Sequence, residues 1–136
     1  MKHIVVASAF LIALTGCDTV TSRYDTLEAA RADALFDRGW LPDVLPPSAN
    51  SIRTSNQLDY NCSEGEFFFL PSEAEMLFNK LSQGAPAASR LDAWDETVSS
   101  YTRRGYSAWS YHEEGSTWAF FCQGPKGYCE YLMWSK

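Results

Sequence analysis

Residues Tyr106–Trp134, YSAWSYHEEGSTWAFFCQGPKGYCEYLMW, decide the fold. Three aromatic-rich runs, Tyr106–His112, Thr117–Cys122 and Tyr128–Trp134, are separated by Glu113–Ser116 and Gln123–Gly127. Both separators contain Gly, so the runs read as three antiparallel strands joined by turns. If Cys122 and Cys129 oppose one another in a cross-hairpin disulfide, the register follows. Phe120 then faces Tyr131, and Trp118 faces Met133. A turn centred on Glu114-Gly115 pairs Tyr111 with Trp118 and Trp109 with Phe120. Side chains alternate along a strand. One face therefore holds Trp109, Tyr111, Trp118, Phe120, Tyr131, Met133 and the disulfide, and it reads as the core covered by helices. The opposite face holds Ala108, His112, Ala119, Phe121, Glu130, Leu132 and Trp134. If left open it is a contact face, with His112, Phe121, Leu132 and Trp134 as its contact residues. A one-residue bulge would exchange the two faces.

Upstream, periodicity predicts three helices. Asp25 and Glu28 fit a capping box before Leu27, Ala30, Ala34 and Leu35, with Arg38-Gly39-Trp40 as the stop. Ser72 and Glu75 precede a second stripe of Ala74, Leu77, Phe78 and Leu81. Ser89 and Asp92 precede a third of Leu91, Trp94, Val98 and Tyr101, ended by Arg103-Arg104-Gly105. Pro42, Pro46 and Pro47 enforce an extended connection. Ile52–Leu58 and Glu66–Leu70 read as a hairpin around Asn61–Gly65. The expected fold is thus α+β, with three helices packed on an antiparallel sheet of about five strands in the order αββααβββ.

At the N-terminus, Lys2 and His3 precede an apolar run from Ile4 to Leu14. At 1.5 Å per residue this run covers roughly half of a ~30 Å hydrocarbon core, too little for a span. It ends in Leu14-Thr15-Gly16-Cys17, which resembles the lipobox of bacterial lipoprotein precursors. The resemblance covers residues 1–17. It implies that residues 1–16 are a lipoprotein signal peptide and that the Cys17 thiol carries a diacylglycerol. Two or three acyl chains anchor stably where one does not. Asp18 after the lipidated cysteine resembles the signal that retains a lipoprotein at the inner membrane, on its periplasmic side. Residues 17–23 then form a lipidated tether reaching ~25 Å at most, and residues 24–136 a single globular domain.

Composition narrows the function. The chain has a net charge of −6, and removal of the signal peptide takes Lys2 and no acid. An acidic domain repels nucleic acid and anionic headgroups. Membrane attachment therefore falls to the lipid on Cys17, and a basic protein or envelope component is the favoured partner. With Cys17 lipidated, Cys62, Cys122 and Cys129 remain. Outside the cytoplasm a disulfide is expected; Cys122–Cys129 is the preferred pair, and Cys62 bridging to one of them is the alternative. Asp59 and Glu64 beside Cys62 disfavour a thiolate. His112 is the one histidine beyond the signal segment, so any Ser-His-Asp or Cys-His arrangement must run through it. Cys62, Cys122, Cys129 and His112 could by number form a zinc set, but they lack paired ligand spacing. No phosphate-cradling Gly loop, GxSxG or HExxH occurs, and no cofactor is implied. The reading is a non-enzymatic, membrane-anchored interaction module. A small inhibitor of an envelope-attacking hydrolase such as lysozyme is the alternative, and a hydrolase using His112 is a third.

Overall fold

Alternating polar and apolar residues build one seven-stranded antiparallel sheet in the computed structural model, which describes residues 19–87 and 89–136. The elements in chain order are β1 (Thr19–Thr26), α1 (Leu27–Ala32), β2 (Asn50–Gln57), β3 (Cys62–Phe68), α2 (Ala74–Phe78), β4 (Ser82–Gln83), α3 (Trp94–Arg103), β5 (Ser107–Glu113), β6 (Ser116–Gln123) and β7 (Tyr128–Ser135). Their spatial order is β1-β2-β3-β7-β6-β5-β4. The expected α+β arrangement of three helices on about five strands is therefore corrected: the protein is mostly β, and its helices are short. The lipobox, the signal peptide and Asp18 lie outside the described residues. Residues 19–23, expected as tether, are instead the first half of edge strand β1, paired with β2 from Thr19↔Gln57 to Thr26↔Asn50.

Local chemistry explains why the helices stop early. Thr26, not Asp25, caps α1, its Oγ1 accepting from the Ala29 N–H at 3.1 Å. Ala34 takes a left-handed φ of 59°, which ends the helix and turns Leu35 inward. Leu35 is fully buried as the first residue of an irregular cover rather than as the end of a stripe. Before α2, Pro71–Glu73 forms a single 3-10 turn without a side-chain cap. The Glu73 carboxylate instead accepts from the Ser48 N–H and hydroxyl, at 3.0 and 2.6 Å, pinning the proline-rich segment. Ser89 Oγ accepts from the Leu91 N–H in a turn, and α3 begins only at Trp94.

The C-terminal register is the expected one. Cys122 pairs with Cys129, Phe120 with Tyr131 and Trp118 with Met133, while Tyr111 opposes Trp118 and Trp109 opposes Phe120. The Cys122–Cys129 disulfide is formed, and Cys62 is free. Two cores result, one on each face. The larger contains Trp118, Phe120, Tyr131, Met133, Phe67 and Ile52, covered by Leu27, Ala30, Leu35, Leu41, Val44, Leu45 and Leu77 from α1, the proline-rich segment and α2. Trp118 Nε1–H donates to the Trp40 carbonyl at 3.0 Å, locking that cover down. The smaller core is Trp94, Ala119, Phe121 and Trp134, with Leu91, Val98 and Tyr101 packed against it.

One close approach sets the β2–β3–β7 geometry. Gly65 pairs with Thr54 on one side and Tyr131 on the other. A Cβ there would lie 2.0 Å from the Arg53 carbonyl oxygen and 2.7 Å from Tyr131 Cε2. The missing side chain lets the Tyr131 ring lie across the strand, as an aromatic covers a strand glycine. Beside it, Ser63 Oγ donates to Asn56 Oδ1 at 2.6 Å and lies 3.1 Å from the Tyr131 hydroxyl. Burial raises the Tyr131 phenol pKa above its ordinary range.

Candidate functional site

The strand register lines up the chemically interesting residues in one row. Thr19↔Gln57, Gln57↔Cys62, Cys62↔Trp134, Trp134↔Thr117 and Thr117↔His112 are successive cross-strand partners at one end of the sheet. Directly opposed residues share a face, so Cys62, Trp134 and His112 lie on the face that α3 covers. Trp134 divides the row. On one side a cleft of about 580 Å³ is lined by His112, Thr117, Arg90, Glu113 and Lys136 among others. On the other a cavity of about 190 Å³ is lined by Cys62, Gln57, Leu91 and Leu132 among others.

This geometry decides what these residues can do together. His112 and Cys62 sit three strand spacings apart, about 14 Å, far beyond the reach a nucleophile–base pair needs. His112 Nδ1 lies 3.1 Å from Thr117 Oγ1 at the exposed end of the hairpin. Its chain neighbours Glu113 and Glu114 make no hydrogen bond to it. A general base held by a hydroxyl, with no carboxylate behind it, lacks the orienting partner of a relay. The Cys62 thiol points at Gln57 Oε1, 3.8 Å away. Cys122 and Cys129 are bonded to each other on the opposite face, so Cys62, Cys122, Cys129 and His112 are not brought together.

The four residues expected on a contact face do share one face, but most of it is covered. Tyr101 stacks flat on Phe121, centroids 4.0 Å apart, and Trp94 meets Trp134 edge-on at 5.1 Å. Phe121 and Trp134 are buried, Leu132 is half-buried and His112 is exposed. The Trp94 Nε1–H donates to the Pro86 carbonyl at 2.9 Å, so the loop before α3 joins the cover. The proline-rich segment is equally committed, with Leu41, Val44 and Leu45 buried in the larger core.

A polar network beside α3 escaped sequence reading. Glu66 and Glu130 are cross-strand partners, and the Tyr128 hydroxyl bridges them at 2.9 and 2.8 Å. Tyr101 donates to the same Glu130 at 2.5 Å. Arg53 forks onto Glu64 at 3.0 Å through both terminal nitrogens, and Glu64 holds the guanidinium proton more tightly than usual. Burial, then the Glu130 carboxylate, raises the pKa of both the Tyr101 and Tyr128 phenols. A hydroxyl carries one proton, so Tyr128 donates to one carboxylate at a time. The network clamps α3 to β7 and β3. Only the β3–β7 register could have revealed it, and that pairing links residues more than sixty positions apart.

Large exposed apolar side chains mark the free surface. Among the described residues, Val20, Leu58 and Tyr60 lie at the end of the sheet that holds Thr19 and Gln57, and Phe68, Leu70 and Met76 lie toward the opposite end. In the second group Leu70 is 57% exposed and Met76 44%. Phe68 rests against the Tyr128 ring at 4.7 Å, holding it in place at the end of β3. Nothing in the spacing of these residues distinguished them from core. No described helix is long and apolar enough to cross a membrane.

No curated protein and no solved structure matches the chain. A family model described as YbbD head domain matches residues 18–68, the segment that carries β1, α1, β2 and β3 and stops at the last residue of β3.

Proposed function

We propose that this protein is an extracytoplasmic lipoprotein, anchored through Cys17, that works as a binding module for a protein partner. The observation that carries the reading is the apolar group Phe68, Leu70 and Met76, exposed toward the sheet end remote from Thr19. A partner-binding surface needs large apolar side chains free of the core, and here most of the contact face expected from sequence is covered by α3. The far end also faces away from the anchor, toward soluble partners. The acidic balance of the chain favours a partner with a basic rim. The test is crosslinking and capture of the lipidated protein from envelopes, comparing the parent chain with Leu70→Asp and Met76→Asp. Loss of a specific captured protein in both variants, with unchanged thermal stability, supports the reading. Identical capture by parent and variants sinks it. A second reading, inhibition of a lysozyme-like hydrolase, gains from the mostly-β fold and its cross-hairpin disulfide. Unchanged activity of several lysozyme types in the presence of the protein removes it.

A further inference from the structure

We infer that the near end of the sheet is a lipid-seating surface, with Leu58 and Tyr60 entering the headgroup region of the bilayer that holds Cys17. The inference rests on the anchoring reading above. Thr19 already belongs to the sheet, so only Asp18 separates it from Cys17. The two Cα–Cα steps from Cys17 to Thr19 span at most ~7 Å. The domain therefore cannot stand off from its anchor, and whatever lies beside Thr19 meets the membrane. Thr19 pairs with Gln57, and Leu58 is the next residue. Leu58 is 52% exposed and Tyr60 67%, with Val20 exposed on the adjoining strand.

The turn is also held rigid. Arg90 donates to the carbonyls of Tyr60 and Asn61 and, at 2.9 Å, to that of Ser135. This ties the β2–β3 turn to the end of β7 and leaves its side chains pointing outward. A leucine next to a tyrosine suits a bilayer interface, where an amphipathic ring sits with its hydroxyl in the headgroups. Among the described residues, the charged groups at this end include Arg90 and Lys136 against Asp59, Glu113 and Glu114, and Asp18 adds an acid next to Thr19 in the chain. The two glutamates lie on the β5–β6 turn, three strand spacings or about 14 Å along the sheet from the β2–β3 turn. A tilt toward β1 keeps them in water while Leu58 and Tyr60 seat.

The test uses the full chain, lipidated in cells and reconstituted into vesicles of phosphatidylethanolamine and phosphatidylglycerol with brominated acyl chains. Tyr60→Trp and Leu70→Trp each add a fluorophore, one at either end, and emission is read as the difference from the parent protein. The expected result is loss of most of the added emission at position 60 and none at position 70. Co-flotation with the vesicles, but with no quenching at 60 or with equal quenching at both positions, overturns the seating and leaves anchoring intact. Failure to float, unchanged by Cys17→Ser, removes the anchoring reading and the seating with it.

Discussion

Substituting Gly65 by Ala should cost about 2 kcal/mol. The added Cβ would sit 2.0 Å from the Arg53 carbonyl oxygen and 2.7 Å from the Tyr131 ring. Inserting one carbon into a packed core costs ~1–3 kcal/mol. The upper end applies because the nearest atom is backbone and Tyr131 is fully buried, so neither can swing away. Against this, Ala is favoured over Gly in a strand by ~0.5–1 kcal/mol. The difference is a net loss of about 2 kcal/mol. Urea unfolding of the mature chain with Cys17→Ser reads it directly, as a midpoint lowered by about 1 M at slopes typical of small domains. Gly124→Ala is the control. The atoms nearest its Cβ would be side-chain atoms of Phe78 and Ala74, the closest at 3.3 Å, and it should stay within ~0.5 kcal/mol of the parent. If Gly65→Ala also stays within that range, the close approach of β2, β3 and Tyr131 is not what shapes the sheet.

Trp94→Ala should cost about 3–5 kcal/mol, since Trp94 fills the smaller core against Phe121 and Trp134; denaturant titration checks this, and a loss under 1 kcal/mol would mean that α3 is held elsewhere. Removing the disulfide by Cys122→Ala with Cys129→Ala should lower stability by about 2 kcal/mol, because the closed loop is short; equal unfolding midpoints for parent and variant would contradict it. Stability should fall as pH rises above about 10, where unfolded Tyr ionises. The folded state keeps the Tyr131 proton beyond that pH, so stability present below it is lost on the way up to the folded pKa. Tyr131 contributes about 1.4 kcal/mol per pH unit, and Tyr131→Phe should flatten the slope by that amount.

The C-terminal meander was legible because two local constraints fixed it. Cys122 opposite Cys129 and the turn at Glu114-Gly115 determine the pairing of β6 with both β5 and β7. Both faces of that meander are legible in the sequence, yet their covers are not. The third apolar stripe, Trp94, Val98 and Tyr101, packs on the mixed face, while the first two covers lie on the other. Which face a helix chooses depends on the path of its connections, which periodicity does not encode. Strand β1 was missed because its sequence, Thr-Val-Thr-Ser-Arg-Tyr-Asp-Thr, buries only Tyr24. An edge strand with one anchoring side chain resembles a polar linker. Strand β4 is two residues held by backbone pairing to Trp109 and Ser110, with no side-chain signature at all. The helices were over-extended because stripes such as Leu27, Ala30 and Leu35 serve equally in a turn that folds back on the sheet. At the candidate site, His112 was identified, but its distance from Cys62 depends on strand order. That order joins β3 to β7 across about half of the chain.

Strand order also dictates when the sheet can close. β1, β2 and β3 are contiguous in the chain, and so are β4 to β7, yet the two blocks meet only where β7 slots between β3 and β6. A chain emerging N-terminus first therefore carries two unfinished half-sheets. The inner edge of each stays open until residues 128–135 arrive. Their pairing completes both cores at once, since Met133 and Tyr131 belong to one and Trp134 to the other. The middle of the sheet is the last part to form, and a chain cut short of Tyr128 would display two sticky edges to its surroundings.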